Sequence, residues 1–251
     1  MRTIVDHFYG SEDLVDLQLV RLSLILESSR ESEALARGWA LNGDRWYNSR
    51  STRLRVDAHS SPKRVSGYAF EHVRRLTSEQ LEQVKRVYGE FIAIKGFAEL
   101  YELLPDDPRT SWILAARQEQ DGSGSIRAFT MFTEYDGALE SNLTAWDYSE
   151  PKKSLGKNLI GYEIDVARSM GYEYLYIGPG YNDSGVYKAD LKGFEWWTGE
   201  EWSNDVNKYK KLCRRDSSIT TLRDLSEIYT RPAEGDVAQS APDAGQPEVQ
   251  G

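Results

Sequence analysis

The stretch IRAFTMFTEYDGALESNLTAWDYSEPKKSLGKNLIGYEIDVARSMGYEYLYIGPG, residues 126–180, decides the fold. Its first half has strand character: Ile126–Tyr135 and Leu139–Tyr148 read as neighbours joined by Asp136-Gly137, a hairpin signal. The period then lengthens. Ser154-Leu155-Gly156-Lys157 opens a helix with Leu155, Leu159, Tyr162, Val166 and Met170 on its apolar stripe, and Gly171 is a natural stop. Tyr172–Ile177 reads as a buried strand that ends in Gly178-Pro179-Gly180. Antiparallel strands feeding a strand–loop–helix–strand crossover make a mixed sheet, so the expected class is α+β.

Outward from this stretch the elements are simpler. Trp112–Gln118 reads as another strand, followed by a turn at Asp121-Gly122-Ser123-Gly124. Thr77 with Gln80 is a capping-box pair, and the helix it opens is expected to run towards Leu104, before Pro105 and Pro108. Residues 46–57 have strand character with basic side chains on polar positions, and 50–67 reads as loop-rich. Residues 12–41 read as a helix capped by Ser11, with Leu14, Leu17, Val20 and Leu24 at helical spacing. Downstream, a short helix over 183–191, a strand over Phe194–Trp202 and a basic helix from Ser203–Asp205 are expected. The tail 231–251 holds three prolines and no aromatic, which predicts disorder. The division expected is therefore 1–76 (N-terminal helix and basic strand–loop region), 77–230 (catalytic domain) and 231–251 (tail).

A chain of 251 residues buries most of its surface without staples, and one cysteine excludes an intramolecular disulfide or a thiolate metal cluster. No membrane span or signal peptide is legible, so a cytoplasmic setting is expected. The net charge of −9 argues at first against nucleic acid. By segment, however, it is −4 over 1–44, +6 over 45–95, −8 over 96–151, +2 over 152–215 and −5 over 216–251. Lys208, Lys210, Lys211, Arg214 and Arg215 form the sharpest cationic cluster. Such clusters serve either as solvated helix faces or as phosphate contacts.

Few residues invite chemistry. Lys152, Lys153, Ser154, Leu155, Gly156 and Lys157 open a helix, where free N–H groups and the dipole favour an anion. The same residues also suit an ordinary strand-to-helix connection. Tyr187, on a short element beyond a strand end, can donate a proton or simply pack. Asp147 and Glu134 each end a strand and can position or deprotonate an amine, or only keep the surface soluble. Trp146, Tyr176 and Gly178 are candidates for lining a substrate pocket. The three histidines are far apart in sequence, and metal, hydrolase-triad, P-loop and dinucleotide motifs are all missing, so no metal or resident cofactor is expected.

Three pieces, SLGKNLIGYEIDVARSMG, YEYLYIGPGY and VYKADLKGFE within 154–195, resemble the catalytic half of arginyl- and leucyl-tRNA–protein transferases. That resemblance implies a GNAT-like acyltransferase fold. Tyr187 stands six residues before Gly193, as in those transferases; acetyl-CoA-dependent GNAT enzymes tend to show four. Against the GNAT loop for CoA, Lys153 replaces Arg or Gln and Asn158 replaces the last small residue. Residues 34–56 are similar to the basic N-terminal region of arginyltransferases, without that region's cysteine cluster.

The resemblance implies transfer of an amino acid from aminoacyl-tRNA, as co-substrate, to an amine of a small molecule or peptide, in natural-product biosynthesis for example. Tyr187 would be the proton donor, Asp147 or Glu134 would hold the amine, and the loop 152–157 would meet the acceptor end of the tRNA. Arg50, Arg53, Lys63, Arg64 and the cluster 208–215 would track phosphates. Two alternatives stay open: an acyl-CoA-dependent N-acyltransferase, and a silent binding module presenting Trp196, Trp197 and Trp202.

Overall fold

The structure, a computed structural model, describes residues 4–6, 18–24, 30–42, 45–62, 64–96, 103–118 and 124–221, with 223, 224 and 227. Twelve strands and four helices are described. The strands are β1 (Ile4–Asp6), β2 (Gln18–Leu24), β3 (Trp39–Asn42), β4 (Arg45–Ser49), β5 (Ser51–Arg55), β6 (Tyr68–Val73), β7 (Thr110–Gln118), β8 (Gly124–Tyr135), β9 (Ala138–Trp146), β10 (Tyr174–Pro179), β11 (Phe194–Trp197) and β12 (Trp202–Ser203). The helices are α1 (Glu31–Ala36), α2 (Ser78–Lys95), α3 (Leu155–Ser169) and α4 (Val206–Asp216).

The strands form two sheets: β1-β2-β4-β3, and the eight-stranded β12-β11-β5-β10-β9-β8-β7-β6. This is the expected α+β architecture with a mixed sheet. Every registered pair in the large sheet is antiparallel except β9 with β10, which the crossover through α3 makes parallel. Helices α2 and α3 cover opposite faces. Val84, Val87, Tyr88 and Phe91 of α2 pack on Trp112, Leu114, Phe129 and Met131. Leu155, Leu159, Ile164 and Ala167 of α3 pack on Ile113, Ala128, Phe132, Leu139 and Leu175. Alternate residues of the central strands thus serve different helices, so both faces of those strands are covered.

Local chemistry sets the helix ends. Thr77 accepts from the Gln80 N–H at 3.2 Å, and the Gln80 side chain accepts from the Thr77 N–H at 2.9 Å. At the end of α3, Gly171 takes φ 79, and the N–H groups of Tyr172 and Gly171 reach the carbonyls of Ala167 and Arg168 at 3.0 Å each. That double bond pattern closes the helix and needs glycine at the left-handed position.

Four expectations are corrected. The helix over 12–41 is not one element: Gln18–Leu24 is a strand paired with β4, and among the described residues of this stretch the α-helix is Glu31–Ala36. Val20, Leu22 and Leu24 alternate with Leu19, Arg21 and Ser23, so the same apolar residues also fit period two, and pairing decided between them. Helix α2 ends at Lys95 because Gly96 takes φ 67, and Leu103 and Leu104 are not helical. The strand expected over Phe194–Trp202 is a hairpin, β11 and β12, closed by the Thr198 N–H to the Glu201 carbonyl at 2.9 Å. The loop-rich reading of 50–67 gives way to a strand over Ser51–Arg55, which pairs with both β10 and β11.

Residues 51–55 and 68–73 are therefore strands of the large sheet. A third cluster joins the two sheets, with Leu35 and Trp46 packed on Tyr135, Ala138 and Tyr176. The tail 231–251, Lys63 and the proposed cap at Ser11 lie outside the described residues.

Candidate active site

Strands β9 and β10 pair only at Leu139 with Leu175 and Glu140 with Tyr176. Beyond that point β9 bulges at Asn142, where Phe132 pairs with Ser141 and Met131 with Leu143. Further along, β10 is in register only with β5. The C-terminal halves of the two parallel strands are thus not bonded to each other, and the sheet is split there. A split between the carboxyl ends of parallel strands, beside a crossover helix, is where open α/β sheets place ligands.

Each face of the split carries a buried carboxylate. Glu163, from α3, is 1% exposed. Its Oε1 lies 2.6 Å from Thr130 Oγ1 and 3.2 Å from Thr144 Oγ1, and those hydroxyls are 3.0 Å apart. Ser141 adds a further hydrogen bond to this carboxyl. Burial pushes the Glu163 carboxyl above its ordinary range, and the three hydroxyls partly offset it. Glu140, one strand position beyond Leu139, points to the other face and accepts from the Tyr135 hydroxyl at 3.1 Å. Burial raises its pKa to about 7 against the opposing pull of Tyr135 and Lys188.

Tyr187 and Lys188 come from the 3-10 segment Asp183–Asp190 that follows β10. The Lys188 Nζ donates to the carbonyls of Ile177 (2.6 Å), Pro179 (2.9 Å) and Gly178 (3.3 Å), and so caps the end of β10 from within. Burial lowers its pKa to about 8. The Tyr187 side chain is 55% exposed. Its phenol is nevertheless raised, first by burial and then by the Glu163 carboxylate.

Helix α4 holds this segment in place. The Tyr209 hydroxyl donates to the Gly185 carbonyl at 3.2 Å and presses on Gly180, where a Cβ would stand 1.9 Å from it. Only glycine fits there.

The loop into α3 lies at the same end of the sheet. Pro151–Lys153 forms a 3-10 turn, and Ser154 takes φ 49 without capping the helix through its side chain. Lys152 and Lys157 are exposed, whereas Lys153 donates to the Ser66 carbonyl at 2.9 Å. The Asn158 amide donates to the Lys153 and Ser154 carbonyls at 2.9 and 3.1 Å. Leu155 is in the core, and a Cβ on Gly156 would lie 2.7 Å from the half-buried Trp146 ring. Both the Leu and the Gly have packing reasons to be where they are.

The remaining candidates divide. Asp147 sits at the split end of β9, bonded to Arg127 at 2.6 Å. Burial favours its neutral form, but hydrogen bonds from Ser149 and the Arg127 guanidinium outweigh that and hold its carboxyl below the usual range. Glu134 is at the end of β8, opposite Leu139 at the start of β9 beside the hairpin, and is paired with Arg74 at 2.9 Å. The structure does not bring Glu134 and Tyr187 to one place. Tyr176 is 6% exposed in the cluster between the sheets, and Gly178 offers its carbonyl to Thr52 (2.5 Å) and Lys188.

Two expected phosphate contacts are internal instead. Arg50 pairs with the fully buried Asp216 at 2.7 Å. Arg53 pairs with Glu195 at 2.6 Å and stacks between the rings of Tyr174 and Trp202. Each is a buried cation neutralised by a carboxylate distant in sequence, so neither faces an outside anion. On α4, Tyr209, Cys213 and Asp216 are buried while Lys208, Lys211 and Arg214 are exposed; Lys210 pairs with Asp190 and Arg215 with Asp216. Arg64 is exposed.

Glu140, Glu163, Lys188, Thr130 and Thr144 were not singled out from the sequence. Glu163 did carry a signal: it follows Leu159 by four residues and precedes Val166 by three, so a charge stands on the apolar stripe of α3.

The sequence matches no protein-family model and no curated protein. Among solved structures, the chain is similar to L-PGS from Bacillus licheniformis at 17% identity and a TM-score of 0.42, over 52% of this chain and 46% of that one. It is similar to FemX at 11% identity and a TM-score of 0.46, over 62% and 60%. A GCN5-related N-acetyltransferase from Kribbella flavida gives 18% identity and a TM-score of 0.39, over 52% and 48%. The chain spans about half the length of the first of these.

Proposed function

We propose that the protein is an acyltransferase that moves an amino acid from aminoacyl-tRNA to an amine on a small molecule or peptide. The observation that carries this reading is the split between β9 and β10, with Tyr187 at its mouth and the first turn of α3 beside it. The resemblance of 154–195 to aminoacyl-tRNA transferases supplies the donor class.

In the reaction, the amine nitrogen attacks the ester carbonyl carbon and a C–N bond forms. The bond from that carbon to the 3′-oxygen of the tRNA breaks. The 3′-oxygen takes a proton from the Tyr187 hydroxyl, and the proton lost by the amine restores the phenol through solvent. The ester is already activated, so most of the rate comes from holding the two reactants together. Proton donation by a positioned group adds about 10²–10⁴-fold. The first turn of α3, which no side chain caps, is flanked by the exposed Lys152 and Lys157, and its N–H groups suit the terminal phosphates. Lys208, Lys211 and Arg214 extend the cationic surface along α4, which packs against the Tyr187 segment.

The test is a donor screen with purified protein. Charged tRNA carrying labelled amino acids and labelled acyl-CoAs are offered separately, and label transfer to a panel of amines is scored. Transfer from charged tRNA, lost in Tyr187→Phe, is expected. Transfer from acyl-CoA alone would establish the CoA-dependent alternative and end this reading.

A further inference from the structure

Glu163 has no task in the reaction just proposed, yet it is the one charged residue among the buried positions of α3. Its surroundings set its proton count. Glu163 Oε1, Thr130 Oγ1 and Thr144 Oγ1 make a closed ring of three contacts at 2.6, 3.0 and 3.2 Å. Each threonine hydroxyl owns one proton. If the carboxyl is ionised, three oxygen–oxygen contacts share two protons, and one buried contact between lone pairs is left without a donor. If the carboxyl is protonated, each of the three oxygens donates once and accepts once. Among the described residues no Lys or Arg forms an ion pair with Glu163, and Ser141 is its remaining partner. A buried carboxylate without a cation is costly, so the neutral ring is the lower state.

We propose that Glu163 carries a proton in the resting protein and closes this ring as a neutral acid, joining α3 to β8 and β9 at the split. Only in that state does the ring hold one proton for each of its three oxygen–oxygen contacts. Glu140, on the opposite face of the sheet, has a phenol and the Lys188 ammonium nearby instead.

Infrared difference spectra test this without requiring turnover. The wild type against Glu163→Gln, at neutral pH, should show a protonated-carboxyl stretch that the variant lacks and that shifts in heavy water. Absence of that band overturns the proton assignment. Thr144→Val, which opens the ring, gives a second check: the carboxyl band should shift or vanish without loss of fold, and an unchanged band overturns the ring. If the wild type transfers no acyl group from either donor, the proposed function fails, and the spectra still decide the state of Glu163.

Discussion

Glu140 and Glu163 stand at the same split, equally buried, on opposite faces of the sheet, and their surroundings differ in kind. Glu140 has one phenol and a nearby ammonium, Lys188, which is itself spent on three backbone carbonyls. Glu163 has three hydroxyls and, among the described residues, no ion pair. One face therefore moderates a buried charge electrostatically, and the other is arranged to hold a neutral acid. The difference follows from what each face packs against. The α3 face offers strand threonines and a serine, whereas the opposite face meets the capped end of β10 and the cluster between the sheets.

The comparison breaks most severely at Lys188. Lys188→Met should remove the donor from three carbonyls and leave Glu140 without its cation, a loss of about 3 kcal/mol at neutral pH. Urea unfolding would show a lower midpoint at constant slope; a midpoint within error of wild type would mean the carbonyls find other donors. Next comes Glu140→Gln. The folded-state pKa of Glu140 lies above its ordinary value, near 7 against 4.5, so the folded chain binds the extra proton within that window. Stability therefore falls as pH rises through the window, and the wild type carries the full cost above it. Glu140→Gln should gain about 2 kcal/mol at pH 8 and nothing at pH 4, since the loss of attraction to Lys188 offsets part of the gain. Equal gains at both pH values would refute the burial account.

A smaller effect is expected at Gly156, which sets the height of α3 over the sheet and so the closure of the Glu163 ring. Gly156→Ala puts a methyl against Trp146, at about 2 kcal/mol of overpacking, partly offset by about 1 kcal/mol of helix propensity. A net loss near 1 kcal/mol in thermal unfolding should accompany a disturbed Glu163 carboxyl band, with Glu140 untouched.

How much of this was legible beforehand depends on the range of the interaction. The hairpin at Asp136-Gly137, helix α3, its glycine stop and the strand into Gly178 are set by neighbours within a few residues, and the spacing shows them. The capping box at Thr77 is local in the same way. Strand β2 was misread because its run of Leu and Val fits two periods, and the choice lies with β4. The burial of Arg50 and Arg53 was invisible for a related reason. Their partners, Asp216 and Glu195, are 166 and 142 residues away, so a basic segment looked like a surface. The candidate site shows both cases: Tyr187 is singled out by its place after a strand, while the surroundings of Glu140, Glu163 and Lys188 are set by contacts distant in sequence.

Asp147 supplies the control that separates burial from charge. It sits at the same edge as the two buried acids, but its side chain is 11% exposed and its partner Arg127 is 25% exposed. Hydrogen bonds and a cation hold its carboxyl below the ordinary value, the opposite direction from Glu140 and Glu163. A depressed pKa contributes stability above the unfolded value and loses it as pH falls through the folded one. Asp147→Asn should therefore cost about 0.5–1 kcal/mol at pH 7, in the range of a partly solvated ion pair, and progressively less as pH falls below 4. Added salt should shrink the cost further, whereas the Glu140→Gln gain should respond little, because screening reaches exposed pairs far more than buried ones. If both responses to salt are alike, the two carboxylates share one environment, and the contrast between the faces of the split is lost.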